Sequence, residues 1–413
     1  MSKGPSAEQI LMKATSHQNG PADLQALAAF DHQPRTRVVF GVNAVDQAGE
    51  LACELGAKKV LLVTDPGIVA AGHAERVHRN LEAAGLQVTV FDRARENPTT
   101  RCVDDCVALA KAAGIDTLVG LGGGSSMDTA KGCNFLLSNG GRMQDYWGVG
   151  KASKPMLPLI AIPTTAGTGS ECQSAALIVD DKTHQKMACL DPKAAARIAI
   201  LDPKLTLSQP PRVTACAGMD AIAHALETAV ANTRNALSIM YSSEAFKLCV
   251  RAFAEVLTHP KDLEARGQML LGAALAGMAI ENSMLGAAHA AANPLTAHFG
   301  IVHGQAVGLM LPHVIRFNAH QSQSRKAYSA LAAAAELISP GHDHAPETLV
   351  KRIEMLLDLA GMPRRLAGSG AEAKLIPLLA EEATRQWTAA FNPRPVSKED
   401  FETLYESAFA GSA

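Results

Sequence analysis

TLVGLGGGSSMD, residues 117–128, is the stretch whose reading decides the fold. A short apolar run from Thr117 to Gly120 leads into three consecutive glycines, Gly122, Gly123 and Gly124, and the segment beyond them has helical composition. Glycines between a strand and a helix let the main chain approach an anion closely. The helix start then offers free N–H groups and the positive end of its dipole, which suits a pyrophosphate. Ser125 or Ser126 is expected to cap this helix. The loop departs from the G-x-G-x-x-G pattern, because Ser125 stands where the third glycine would fall. A plain strand-to-helix turn is the competing reading.

Outward from this loop the chain alternates. Arg37 to Gly41 reads as a strand, Leu51 to Leu55 as helical, and Lys59 to Asp65 as a buried parallel strand, because it is a continuous apolar run closed by polar residues. A helix, a strand (Leu86 to Asp92), a helix (Thr100 to Ala113) and the strand at Thr117 follow, with further strands at Leu157 to Ile162, Ser174 to Val179, Gln185 to Leu190 and Arg197 to Leu201. Such alternation predicts a doubly wound, mostly parallel, Rossmann-like sheet. Past Pro210-Pro211 every segment is Ala/Leu-rich with helical period, so an all-α region is expected to the end of the chain. The expected organisation is an N-terminal extension (1–34, a short helix with a lead), an α/β dinucleotide-binding domain (35–208) and an all-helical metal-binding domain (209–413).

Composition narrows the function. Of 413 residues, 47% are hydrophobic and 19% charged, the balance of a globular protein long enough for two domains. A formal net charge of −2 without a Lys/Arg-rich run argues against nucleic acid as a partner. No apolar run is long enough to span a bilayer, and Met1 to Asn19 lacks a basic start followed by an apolar core. A cytoplasmic protein is the expectation. The eight cysteines are scattered without a C-x-x-C pair, as reduced thiols would be.

Three further clusters carry chemistry. Asp65 closes the second strand, where an acidic side chain can bond the adenosine ribose and repel a 2′-phosphate; a cap before Pro66-Gly67 is the alternative. Pro163 to Glu171 is a hydroxyl-rich loop with Thr164, Thr165 and Thr168, able to wrap a ribose or phosphate. Asp220 and His224 are four apart in a predicted helix and share a face, and His289 and His303 follow. One carboxylate and three imidazoles suit Fe²⁺ or Zn²⁺. His298 and His313 are read as ordinary residues.

Taken together and in this order, these motifs resemble those of the iron-containing (group III) alcohol dehydrogenases, from about Arg37 to Phe409. The resemblance rests on Gly122-Gly123-Gly124-Ser125 with Asp128 and Lys131, on Pro163-Thr164-Thr165 with Gly167-Thr168, and on Asp220-x-x-x-His224, His289 and His303-Gly304. Asn97-Pro98-Thr99 and Asn392-Pro393-Arg394 add to it. It implies the dehydroquinate synthase-like fold and a hydride transfer between NAD(H) and an alcohol, aldehyde or ketone. It implies metal ligands at Asp220, His224, His289 and His303, with Fe²⁺ as the ion and Zn²⁺ as the alternative. It implies dinucleotide contacts at Asp65, Asn97, Gly122, Gly123, Ser125, Asp128, Thr164, Thr165, Thr168 and Lys186, NAD rather than NADP, and a homodimer or higher homo-oligomer. The candidate catalytic positions are His303 and Asn293. Many members carry a second histidine four residues after the third ligand, in the pattern His-x-x-x-His-Pro-Leu, where this chain has Asn293-Pro294-Leu295. Asn293 cannot titrate, so it either orients a polar group or caps a turn before Pro294. Two rivals stand beside this reading: a same-fold NAD-dependent enzyme for a polar or phosphorylated substrate (maleylacetate reductase-, glycerol-phosphate dehydrogenase- or dehydroquinate synthase-like), and a non-catalytic nucleotide-binding protein.

Overall fold

Residues 30–411 are described by a computed structural model, and the expected N-terminal helix lies outside them. Among the described residues nine strands form: β1 (Arg37–Phe40), β2 (Lys59–Val63), β3 (Gln87–Phe91), β4 (Thr117–Gly122), β5 (Gly148–Val149), β6 (Leu159–Pro163), β7 (Ala175–Val179), β8 (Lys186–Leu190) and β9 (Ile198–Leu201). Six make one sheet in the order β1-β9-β6-β4-β2-β3, and every pairing in it is parallel. Strands β4, β6 and β9 are buried along their whole length, which is why they read as continuous apolar runs and not as alternating ones. The antiparallel pair β7 and β8 leaves this sheet and joins the two-residue β5 in a small second one.

The main sheet explains where a ligand can sit. From β2 the chain moves out to β3, then crosses through a helix to β4 on the other side of β2. Strand order therefore reverses between β2 and β4, and their carboxyl ends open a crevice at that switch point. Asp65 leaves β2 and Gly123 leaves β4, both at this crevice. The sheet is covered by α1 (Ala48–Glu54), α2 (Pro66–Ala70), α3 (His73–Ala83), α4 (Thr100–Ala113) and α5 (Gly124–Asn139).

After β9 a 3₁₀ segment (Pro203–Ser208) leads into helices only: α6 (Pro211–Val230), α7 (Ala236–Thr258), α8 (Leu263–Glu281), α9 (Ala287–Phe299), α10 (His303–Ala319), α11 (Ser322–Ala334), α12 (Ala345–Leu359), α13 (Ile376–Thr384) and α14 (Lys398–Ala410). Among the described residues no strand follows Leu201, and no helix is long and apolar enough to cross a membrane. Helix α6 is buried at nearly every position from Thr214 to Val230, so it forms the central rod against which the other helices pack. Asn293-Pro294 is not a turn: α9 continues through it to Phe299. Contacts with α10 and α13 on a buried helix outweigh the local preference of Asn-Pro for a break.

One buried group at the junction of sheet and helices is left without a partner. The turn Ser170–Cys172 packs on α8, where a Cβ on Gly169 would stand 2.7 Å from the Gly277 Cα. Within that turn Glu171 is 1% exposed, and neither carboxylate oxygen has a hydrogen-bond partner. Burial pushes its pKa from 4.5 to about 7, against weaker pulls from its own backbone N–H and from Lys131. A carboxyl whose folded pKa is raised favours folding below the unfolded value near 4.5 and loses that contribution as pH climbs through about 7. Glu171→Gln should therefore gain little thermal stability at pH 5 and up to about 3 kcal/mol at pH 8.5. Thermal melts of both proteins across that range check this; parallel Tm curves would show that Glu171 is not a buried ionisable liability.

Candidate dinucleotide and metal site

At the switch-point crevice two loops interlock. The N-cap of α5 is Gly123, and no side chain caps this helix. The expected serine cap is thus absent, because the residue in the capping position has no side chain and Ser126 bonds elsewhere: its hydroxyl donates to Asp65 Oδ2 at 3.0 Å. The first N–H groups of a 16-residue helix remain unspent by side chains, which is the provision an anion needs. Gly122 (φ 143°) lies at the mouth of this loop, and a Cβ there would stand 2.5 Å from Ser126 Oγ and 3.0 Å from Asp65 Oδ2. Gly123 faces Thr165, and a Cβ on Gly124 would meet Thr168 Cγ2 at 2.9 Å. The Thr164 N–H donates to the Gly122 carbonyl at 2.9 Å, so the loops after β4 and β6 are pinned side by side.

Asp65 does two structural tasks at once. Its Oδ1 accepts from the Gly67 and Ile68 N–H groups at 3.0 and 3.1 Å, capping α2, and its Oδ2 takes the Ser126 hydroxyl. The cap reading of Asp65 therefore describes one oxygen; the other faces the phosphate loop. Ser125 is half-buried beside this loop, and its carbonyl accepts from Thr129. Asp128 is buried one helical turn into α5; burial raises its pKa to about 6 while Lys131, Lys186 and the Ser170 hydroxyl at 3.2 Å pull it down. The Lys186 ammonium donates to Asn97 Oδ1 at 3.1 Å, and Asn97 adopts a left-handed backbone (φ 51°) that asparagine tolerates. Desolvation lowers the Lys186 pKa against the pull of Asp128 and Asp220, so this partly solvent-exposed ammonium is within electrostatic reach of both the phosphate-loop helix and the second cluster.

That second cluster is centred on one oxygen. Asp220 and His224 project from the same face of α6, as their four-residue spacing requires. Asp220 Oδ1 stands 3.4 Å from His224 Nε2, 3.3 Å from His289 Nε2 and 3.8 Å from His303 Nε2. Ligands about 2.1 Å from a shared tetrahedral ion would stand about 3.4 Å apart; the Asp220–His224 and Asp220–His289 separations match that, and His303 stands farther out. The ligand atoms of Asp220, His224 and His289 lie within 4.8 Å of one another and all three residues are buried. The His224 and His289 rings stack at 4.8 Å, and His289 meets His303 at 5.3 Å. Asp220 Oδ1 and His289 Nε2 are buried and have no hydrogen-bond partner, a costly state that a cation at their centre relieves.

Electrostatics tell the same story. Burial alone would raise the Asp220 carboxyl, yet the imidazoles beside it hold its pKa well below the usual carboxylate range. Burial would likewise lower His289, but Glu227 and Asp220 outweigh it and raise its pKa to about 9. A protonated imidazole here supplies the positive charge that two buried carboxylates demand, a task a divalent cation does better. Burial lowers His224 and His303 below 6.5, against the pull of Asp220, so both rings are neutral and can donate lone pairs. His303 keeps 35% of its side chain open, the accessible wall of the cluster.

Close backbone approaches hold the ligands. His224 Nδ1 bonds the Gly167 carbonyl at 3.2 Å, and a Cβ on Gly167 would come within 2.7 Å of the Ala217 Cβ. His303 opens α10, and a Cβ on the adjoining Gly304 would stand 2.0 Å from the Cys216 carbonyl oxygen, so only glycine lets α10 lie against α6 here. Asn293 is one helical turn beyond His289 and its amide donates to Gln386 Oε1 at 2.9 Å. His298 pairs with Glu382 on the surface, and His313 is buried outside the cluster. The sequence reading missed Glu227, which bonds His289 Nδ1 and the Ala288 N–H. Its signal was present: Glu227 follows His224 by three residues, on the same face of α6.

The chain matches known proteins along nearly its whole described length. The family model described as "Iron-containing alcohol dehydrogenase" matches residues 34–203, and "Fe-containing alcohol dehydrogenase family, C-terminal" matches residues 214–409. The chain is 34% identical over 370 residues to the NAD-dependent methanol dehydrogenase of Bacillus methanolicus, covering 90% of this chain and 97% of that protein. It is 31% identical over 372 residues to the lactaldehyde reductase of Escherichia coli (strain K12), covering 90% and 97% respectively. The solved alcohol dehydrogenase from Oenococcus oeni superimposes with a TM-score of 0.89 at 30% identity, over 92% of this chain and 100% of that one. The chain belongs to the iron-containing alcohol dehydrogenase family.

Proposed function

We propose that this protein is an NAD-dependent alcohol dehydrogenase and aldehyde reductase acting on small alcohols and their carbonyl partners. In this reading residues 35–208 bind the dinucleotide and residues 209–413 hold one divalent metal, Fe²⁺ first and Zn²⁺ as the alternative. The observation that carries it is the convergence of Asp220, His224, His289 and His303 around one buried, partnerless carboxylate oxygen, beyond a helix N-terminus free of side-chain caps. Names within the family, methanol dehydrogenase and lactaldehyde reductase among them, support small alcohols and aldehydes as the substrate class. A cytoplasmic homodimer or higher homo-oligomer is the working assembly.

The metal, when bound, supplies Lewis acidity toward the alcohol or carbonyl oxygen. The chain's own residues do the rest. Asp220 contributes the one anionic ligand, and the neutral His224 and His303 contribute lone pairs without an added proton to lose. His303, the most open of the four, borders the path by which a substrate enters. The uncapped start of α5 would hold the pyrophosphate, with Gly122, Gly123 and Ser125 beside it and Thr164, Thr165 and Thr168 on the neighbouring loop as further donors. Lys186, held by Asn97 and drawn toward Asp128, places a cation within electrostatic reach of both the cofactor and the metal cluster. Asn293 has committed one amide N–H to Gln386, so its second N–H and its Oδ1 remain to donate to or accept from a substrate oxygen or hydroxyl. It orients and does not exchange protons.

Two outcomes test this reading. His289→Ala and His303→Ala should each lose bound metal and at least ~100-fold in turnover while retaining NAD binding; full metal occupancy by elemental analysis in both variants would overturn the ligand set. Asp65→Asn keeps an acceptor for the α2 cap, and the Ser126 hydroxyl can turn to accept from the new amide, but the charge that repels a 2′-phosphate is gone. The ratio of kcat/KM for NADPH over NADH should rise about 10-fold or more. A wild-type enzyme that already prefers NADPH would contradict the role of Asp65.

A further inference from the structure

Helix α9 carries His289, and its beginning is held in an unusual way. Its N-cap is Gly286, which has no side chain to offer, yet its first N–H groups are not left bare. The Ala287 N–H donates to Asn392 Oδ1 at 3.3 Å, and the Ala288 N–H donates to Glu227 Oε1 at 2.7 Å. Two side chains far away in sequence thus replace the missing cap. They are not equivalent. Asn392 belongs to an amide network with Asn318, donating to its Oδ1 at 2.8 Å and accepting from its Nδ2 at 3.1 Å, and none of its hydrogen bonds goes to Asp220, His224, His289 or His303. Glu227 holds the helix start with Oε1 and His289 Nδ1 with Oε2.

We propose that Glu227 is a positioning residue that fixes which nitrogen of His289 faces the metal, and that this function is separable from its capping of α9. The inference rests on the metal centre proposed above. An ionised carboxylate can only accept, so the ring nitrogen that meets it must carry the proton. Nδ1 is therefore the N–H that stays, and Nε2, 3.3 Å from Asp220 Oδ1 at the centre of the cluster, is the nitrogen that can release its proton and give a lone pair to the ion. The ring cannot turn over without losing this bond, because carbon Cδ2 would then face the Glu227 carboxylate and Cε1 the cluster. Glu227 is 4% exposed, so water does not compete for this bond. His224 is set by the same logic through the Gly167 carbonyl, an acceptor that also requires an N–H at Nδ1. A partner of this kind fixes tautomer and ring direction, and losing one weakens metal binding by roughly 10–100-fold in other sites.

Glutamine in place of Glu227 breaks the arrangement whichever way it sits. With its oxygen toward His289, its NH₂ group opposes the Ala288 N–H. With its NH₂ toward His289, it demands a lone pair at Nδ1 and so forces a proton onto Nε2, the metal-facing atom. Asn392→Ala removes the other cap of the same helix and leaves the His289 contact alone. The experiment strips the purified enzyme of metal and titrates wild type, Glu227→Gln and Asn392→Ala with Co²⁺, following its visible absorption, with NAD binding and apo Tm measured alongside. Wild type should bind one Co²⁺. Glu227→Gln should bind it at least ~10-fold more weakly with NAD affinity unchanged, and Asn392→Ala should lower Tm while its Co²⁺ affinity stays within about 3-fold of wild type. Equal loss of Co²⁺ affinity in the two variants would reduce Glu227 to a helix cap and overturn the proposal, as would unaltered affinity in Glu227→Gln. Wild type that binds no Co²⁺ would overturn the metal centre itself and this inference with it. If Glu227→Gln does not fold, Glu227→Asp, which keeps the charge but not the reach, takes its place, and wild-type affinity in that variant would equally overturn the proposal.

Discussion

A buried carboxylate oxygen without a hydrogen-bond partner is the constraint on which the helical half of this protein depends. Asp220 Oδ1 sits among three imidazole nitrogens at 3.3 to 3.8 Å, cut off from water, in a helix that is itself almost wholly buried. Left alone, such a group costs several kcal/mol. Its neighbours answer by shifting protons: His289 is held cationic by Asp220 and Glu227, while His224 and His303 are kept neutral by burial. A divalent cation satisfies the same demand with better geometry, and the arrangement of helices makes most sense as a scaffold for that ion.

The scaffold works because the approaches are tight. Helix α6 supplies Asp220, His224 and Glu227 from one face, so three roles share one rigid element. Gly167 and Gly304 let the loop after β6 and the start of α10 reach that helix, at separations where a methyl group would collide with Ala217 or with the Cys216 carbonyl. Through Gly167 the loop that bears Thr164, Thr165 and Thr168 also touches the metal cluster, since its carbonyl holds His224. The switch-point crevice and the Asp220 cluster are therefore two ends of one packed unit.

Much of this was legible in the residues because period and spacing are local properties. Buried parallel strands announce themselves as unbroken apolar runs, so Lys59 to Val63 and Thr117 to Gly122 were found within a residue or two. Asp220 and His224 share a face whatever surrounds them. What was not legible depended on contacts distant in sequence. A serine after three glycines looks like a cap, but the helix starts at Gly124 and Ser126 turns to Asp65, 61 residues earlier. Asn293-Pro294 looks like a helix break, yet packing of α9 against α10 and α13 carries the helix through it. Glu227 lies in plain view one turn after His224, but its meaning needs Ala288 and His289 beside it, which only the fold supplies.

The central claim is that one metal ion sits at the meeting point of Asp220, His224, His289 and His303. X-ray diffraction from crystals of the enzyme grown with iron and NAD, collected on both sides of the iron and zinc absorption edges, tests it most directly. The account predicts a single anomalous peak about 2.0–2.3 Å from Asp220 Oδ1 and from the Nε2 atoms of all three histidines, with the edge identifying the element. A site without anomalous signal, or a peak bound by other residues while these four hold no ion, would contradict it.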